Sequence, residues 1–197
     1  MTIRRRSLLV HAAGSTLAAL CALPALAVPG RVLPPMTDGP FYPTRRWRET
    51  GPFAAGGWDA DLTQVTGQPA RARGEHLDLA LQVVDTDGRV ADRAEVEIWQ
   101  CDTLAVYRHP RDRNEPGQFD PGFQGFGMAG AGSDGVVRFR TIRPVPYPGR
   151  TPHIHVKLRH AAFGELSSQL FVDGDSGNAR DFLWRRLDDE AQAALAM

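Results

Sequence analysis

Lysine is almost missing from this chain. Lys157 is the only one among 23 basic residues, and the rest are arginine. Acids also number 23, so the formal net charge is zero, and no run gathers charge of one sign. Without a basic face or a charged tail, nucleic acid is not an expected partner. Cysteine is nearly as scarce, with Cys21 and Cys101 alone, which excludes a disulfide-built scaffold. Tyrosine occurs only at Tyr42, Tyr107 and Tyr147, so any chemistry that rests on phenols has few candidates. No internal repeat or low-complexity segment is apparent. What remains is ordinary globular material, 197 residues with 42% hydrophobic and 23% charged, enough for one domain with a substantial core.

The first 27 residues read as an export signal. Arg4-Arg5-Arg6 precedes an apolar run from Leu8 to Leu26 that ends in Ala25-Leu26-Ala27, a small-x-small cleavage site. Arg5-Arg6-Ser7-Leu8-Leu9 also fits the twin-arginine form, which exports folded proteins. A periplasmic or extracellular mature protein is therefore expected, with no membrane association once the signal is removed. Cleavage takes three arginines from the 23 cations and none of the 23 acids, leaving a net charge near −3. It also leaves Cys101 as a lone, apolar thiol.

Residues 28–60 carry Pro34-Pro35, Gly39-Pro40, Pro43 and Gly56-Gly57, and are expected to form an extended arm. From residue 61 to 197 the pattern is that of an all-β domain. Leu77, Leu79, Leu81 and Val83 alternate at the period of a half-buried strand. Asp87-Gly88 is a turn signal, and Val96-Glu97-Ile98-Trp99 resumes as a strand. Residues 108–133, rich in proline and glycine, are expected to form one long loop. Strands follow over 136–142, around Ile154-Val156-Leu158, and over 166–172. The predicted fold is an antiparallel β-sandwich with long loops and a short C-terminal helix. In that helix Leu183, Leu187, Ala191 and Leu195 recur every four residues, with Asp175 or Ser176 as caps.

The chemically informative stretch is Arg143-Pro-Val-Pro-Tyr147-Pro-Gly-Arg150-Thr-Pro-His153-Ile-His155. On a strand, His153 and His155 share one face, while Ile154, Val156 and Leu158 share the other. Such a pair can set two imidazoles on one metal ion. Pro144, Pro146 and Pro148 fix φ at every second residue and stiffen the approach to the pair. His109 and His160 are expected to be solvated, and Asp173 and Asp175 to form a turn or cap.

This stretch resembles the metal-binding segment of the intradiol ring-cleavage dioxygenases, the family of protocatechuate 3,4-dioxygenase and catechol 1,2-dioxygenase. Further motifs resemble that family in the same order. They are Thr37-Asp-Gly-Pro-Phe-Tyr-Pro43, Asp61-Leu62-Thr63, Val96-Glu-Ile-Trp-Gln-Cys-Asp102 with Tyr107-Arg-His, and Gln169 in Ser168-Gln-Leu-Phe. The resemblance implies a non-haem Fe(III) site with Tyr107, Tyr147, His153 and His155 as ligands. It implies that the iron and O2 open a catechol-type ring to a muconate-type diacid. Tyr147 would leave the iron and take a substrate proton, while Arg150 and Gln169 would stand beside the ring. Two phenolates and two neutral imidazoles make a hard, anionic set that favours Fe(III) over Fe(II).

Two features depart from the family pattern. Leu104-Ala105-Val106 stands where the family often has glycine, and the interval from Tyr147 to His153 is short. The helical dimer interface of catechol 1,2-dioxygenases is not expected, although another homo-oligomer is compatible with the sequence. The competing reading is an exported β-sandwich that binds aromatic or carbohydrate ligands and has a non-catalytic metal site. A copper or zinc hydrolase leaves Tyr107 and Tyr147 unexplained.

Overall fold

The structure, a computed structural model, describes residues 2–5, 32–44, 46, 58–112 and 118–197. Most of the expected export signal, and residues 28–31, 45 and 47–57 of the expected arm, lie outside the described residues. Among the described residues seven strands form two antiparallel sheets. One sheet has β1 (Thr2–Arg5), β2 (His76–Val84) and β5 (Val136–Ile142), in the order β1-β2-β5. The other has β3 (Glu95–Trp99), β4 (Phe126–Gly130), β6 (His153–His160) and β7 (Gly164–Phe171), in the order β4-β3-β6-β7.

The alternation in the sequence decides which face of each strand is inside. Leu79, Leu81 and Val83 of β2 and Val137 and Phe139 of β5 meet Val96 and Ile98 of β3, Ile154, Val156 and Leu158 of β6 and Leu170 of β7 in one buried cluster. Two sheets that close a shared apolar core in this way form a β-sandwich. Leu33 from the N-terminal segment and Leu195 from the C-terminus plug its margins.

Two expectations need correction. The stretch 108–133 is not one loop, because Phe126–Gly130 pairs along the whole of β3 as the edge strand β4. It lacks β-branched residues, so its pattern is mute. Gly127 is required there by close approach, since a Cβ would fall 2.6 Å from both the Asp59 carbonyl oxygen and Leu62 Cδ1. The C-terminal helix, α1, spans only Asp189–Leu195 and is capped by Asp188, whose side chain accepts from the Ala191 amide. Upstream, Asn178–Arg180 and Trp184–Arg186 are single 3-10 turns, because the backbone is extended at Asp181 and again at Leu187.

Candidate active site

The outer face of the four-stranded sheet is polar and yet buried. Strand register sets Trp99, His155 and Gln169 in one row across β3, β6 and β7, and pairs His153 with Phe171 in the next. His153, His155 and Gln169 are no more than 3% exposed. The chain covers this face with residues 32–44, which run along β7. There the Met36 amide donates to the Ser167 carbonyl, and Ser168 Oγ and Gln169 Nε2 donate to the carbonyls of Pro34 and Thr37. Further along, Lys157 Nζ is 2.8 Å from Asp38 and lies 3.9 Å from the centroid of the Tyr42 ring, whose hydroxyl donates to Glu97. Phe41 stacks on Tyr107, with ring centroids 4.7 Å apart.

Tyr147 and Arg150 are brought together by a local device. The Arg150 amide donates to the Tyr147 carbonyl at 2.8 Å, and Gly149 between them has φ of +82°. Proline at the second and glycine at the third position are what a type II turn demands, so Tyr147-Pro148-Gly149-Arg150 closes as one. The turn sets an arginine N–H 3.5 Å from the Tyr147 hydroxyl. Tyr107 enters from the loop after β3, with its amide held by the Asp112 carboxylate.

Four rings then converge. Tyr107 and Tyr147 have centroids 5.8 Å apart, Tyr147 and His153 5.4 Å, His153 and His155 5.0 Å, and Tyr107 and His155 6.1 Å. His153 Nδ1 lies 2.7 Å from the Thr151 carbonyl, which can only accept, so the proton sits on Nδ1 and Nε2 offers a lone pair. Both phenol oxygens stand at the edge of hydrogen-bonding distance from that lone pair, Tyr107 at 3.5 Å and Tyr147 at 3.4 Å, and the two phenols also hydrogen-bond each other. A cation between these three atoms would satisfy them all once the phenols ionise. His155 stacks on Trp99 at 4.7 Å and 8°, and its buried Nδ1 has no hydrogen-bond partner. Among the described residues no group of three His, Cys, Asp or Glu side chains could hold a metal, so two of the donors here would have to be phenols.

The electrostatics fit a metal-ligand set. Burial lowers the His153 pKa to about 4, helped by the Arg150 cation, and holds that of His155 well below the usual value. Both imidazoles are therefore neutral and able to donate lone pairs at pH 7. Burial raises both phenols, Tyr107 far above its ordinary value, whereas Arg150 pulls Tyr147 back. Tyr147 is the phenol that ionises more readily.

Arg150 is held on every edge. Its Nε donates to Asp181 at 2.8 Å and a terminal N–H donates to Gln169 Oε1. All six residues singled out in the sequence thus lie in one cluster. Three further residues that were not singled out also shape it. Asp181 anchors Arg150, Trp99 is the plate under His155, and the Thr151 carbonyl sets the His153 tautomer. A buried arginine needs a carboxylate, but nothing local marks Asp181 as that partner. His109, expected in solvent, is buried and lies edge-on to Phe41 at 5.8 Å.

Residues 50–193 match the family model described as Dioxygenase. The chain is 31% identical over 145 residues to the protocatechuate 3,4-dioxygenase beta chain of Burkholderia cepacia, covering 70% of this chain and 61% of that one. It is 33% identical over 129 residues to the alpha chain from the same organism, covering 63% and 64%. The chain thus spans less than two thirds of the length of these relatives. Among solved structures it is similar to the dioxygenase domain of a dioxygenase carbohydrate-binding protein fusion from Streptomyces sp. SirexAA-E. That similarity has a TM-score of 0.57 and 27% identity, over 77% of this chain and 82% of the other.

Proposed function

The chain belongs to the intradiol ring-cleaving dioxygenase family, and from that premise we propose that it is an Fe(III)-dependent enzyme that opens a catechol-type ring with O2. The observation that carries this reading is the convergence of the Tyr107 and Tyr147 hydroxyls on His153 Nε2 at 3.5 and 3.4 Å, with the neutral His155 ring alongside. Tyr107, Tyr147, His153 and His155 would hold the iron. When bound, ferric iron would supply a Lewis acid that favours loss of the catechol protons, and the resulting catecholate is the form electron-rich towards O2.

The protein's own residues then divide the work. Tyr107, fully buried and stacked on Phe41, is the fixed ligand. Tyr147, less buried and beside Arg150, accepts a substrate hydroxyl proton at its phenolate oxygen. Arg150 holds a cation close to the reacting ring and stabilises negative charge as it builds there. Gln169 fixes the guanidinium by accepting one of its N–H groups. The buried sheet face, roofed by residues 32–44, keeps water from this charge.

We further propose, from Arg4-Arg5-Arg6 and the apolar run Leu8 to Leu26, that residues 1–27 are an export signal, so that β1 belongs to the precursor alone and the mature enzyme works outside the cytoplasm. N-terminal sequencing of protein secreted by the native host should begin near Val28.

The deciding experiment is a visible absorption spectrum of the iron-loaded protein, before and after anaerobic addition of catechol. A broad phenolate-to-iron band that shifts with catechol is expected. A protein that stays colourless after Fe(III) loading would overturn the reading and favour a binding module for aromatic ligands.

A further inference from the structure

We infer that Asp181 is the positioning residue of this site, a fixed anion that aims the Arg150 guanidinium at Tyr147 and Gln169. The inference rests on the function proposed above. Asp181 lies 31 positions beyond Arg150 and comes from the C-terminal segment, outside every motif recognised in the sequence. Its side chain is wholly buried and that of Arg150 is 8% exposed.

Neither oxygen of this carboxylate is free to turn. Oδ2 accepts from Arg150 Nε at 2.8 Å and from the Thr151 amide at 2.9 Å. Oδ1 accepts from the amides of Leu183 at 2.8 Å and Trp184 at 3.0 Å. Three of its four donors are backbone groups of two separate segments, so the anion is a fixed point to which the flexible arginine is tied. The next residue, Phe182, covers the guanidinium face with its ring centroid 5.5 Å from Cζ. Arg150 therefore has Nε on Asp181, one terminal nitrogen near Tyr147, the other on Gln169, and an aromatic ring over its plane. A side chain with four rotatable bonds is left with one orientation, as electrostatic preorganisation requires. Without the anchor the cation would lie buried and uncompensated, and would turn away from the phenol towards water.

A structural role alone would show as lost stability; a positioning role shows as a turned arginine and a lower kcat. The test uses the full chain with Asp181→Asn, which removes the anion at nearly constant shape, and Asp181→Glu, which keeps it. In the metal-free protein, 15N NMR follows the exchange-protected Arg150 Nε–H signal, identified by its loss in Arg150→Ala. In the iron-loaded protein, iron content, the visible band, kcat and KM are measured with catechol. Asp181→Asn should keep its iron and lose the protected signal. Its kcat should fall about 10- to 100-fold while KM stays within about threefold. Asp181→Glu should recover both the signal and most of the turnover.

Across the two variants, signal and kcat must rise and fall together, so one variant that folds is enough to decide. Turnover within about twofold of wild type after loss of the signal overturns the inference, as does a signal that survives in Asp181→Asn. A wild-type protein without iron or turnover overturns the underlying function instead, and is told apart because the NMR signal does not depend on iron.

Discussion

The two faces of β6 make an instructive comparison. Ile154, Val156 and Leu158 look into the sandwich, and His153, His155 and Lys157 look outward, yet all six are buried. The inward face is apolar and carries stability. The outward face buries imidazoles and an ammonium, which costs free energy unless partners or a ligand compensate. A chain that roofs such a face with its own N-terminal segment has spent stability on chemistry. Burial alone therefore does not mark the core; burial of polar groups on the wrong face of a strand marks the site.

Neighbouring substitutions should break this comparison cleanly. His155→Ala should abolish the visible band and turnover while the apolar core stays intact. Ile154→Ala, one residue away, should cost about 2–5 kcal/mol of stability and keep the colour. Iron content and urea unfolding of the two proteins check both claims, and similar losses of iron in both would erase the distinction. Arg150→Ala should keep iron and the band but lower kcat/KM about 100- to 1000-fold, on the scale of losing one preorganised donor. If it turns over normally, its electrostatic role is wrong.

The outer face should also be the acid-sensitive one. The folded His153 pKa of about 4 lies below the ordinary 6.5, so the unfolded chain binds the extra proton. Stability of the metal-free protein should be full above about pH 6.5 and fall as pH drops towards 4, by up to roughly 3 kcal/mol. Denaturant unfolding at pH 8 and pH 4.5 tests this, and His153→Gln should flatten the dependence.

The smallest effect concerns Ala105, whose φ of +60° is unfavourable for a residue with a Cβ. Ala105→Gly should stabilise by about 0.5–1 kcal/mol with little change in turnover. A neutral or negative change in melting temperature would mean the strain is already relieved by the Asp102 carboxylate, which accepts from the amides of Leu104 and Val106.

The inward face was the legible one. Period-2 alternation at Leu77 to Val83 and at Ile154 to Leu158 locates strands because burial of one face enforces it. His-x-His was legible for the same reason, whereas the Pro-Gly pair before Arg150 suggested only part of a stiff approach and not the turn it closes. β4 was hidden because Phe126–Gly130 earns its pairing from the neighbouring strand and from Gly127's contact with Asp59 and Leu62, not from propensity. The fourfold spacing from Leu183 to Leu195 promised a longer helix than forms, since the chain turns extended at Leu187 and restarts only at the Asp188 cap. Asp181 itself was illegible because its partner is 31 positions away and only folding introduces them.

The scarcity of lysine has a use once the roof is considered. Lys157, the only lysine, has its side chain 5% exposed beneath Asp38 and Tyr42. In the folded chain, amine-directed reagents therefore meet a single, shielded ε-amino group besides the terminal amine. The rate at which Lys157 is acylated would therefore report how readily residues 38–42 lift from the sheet.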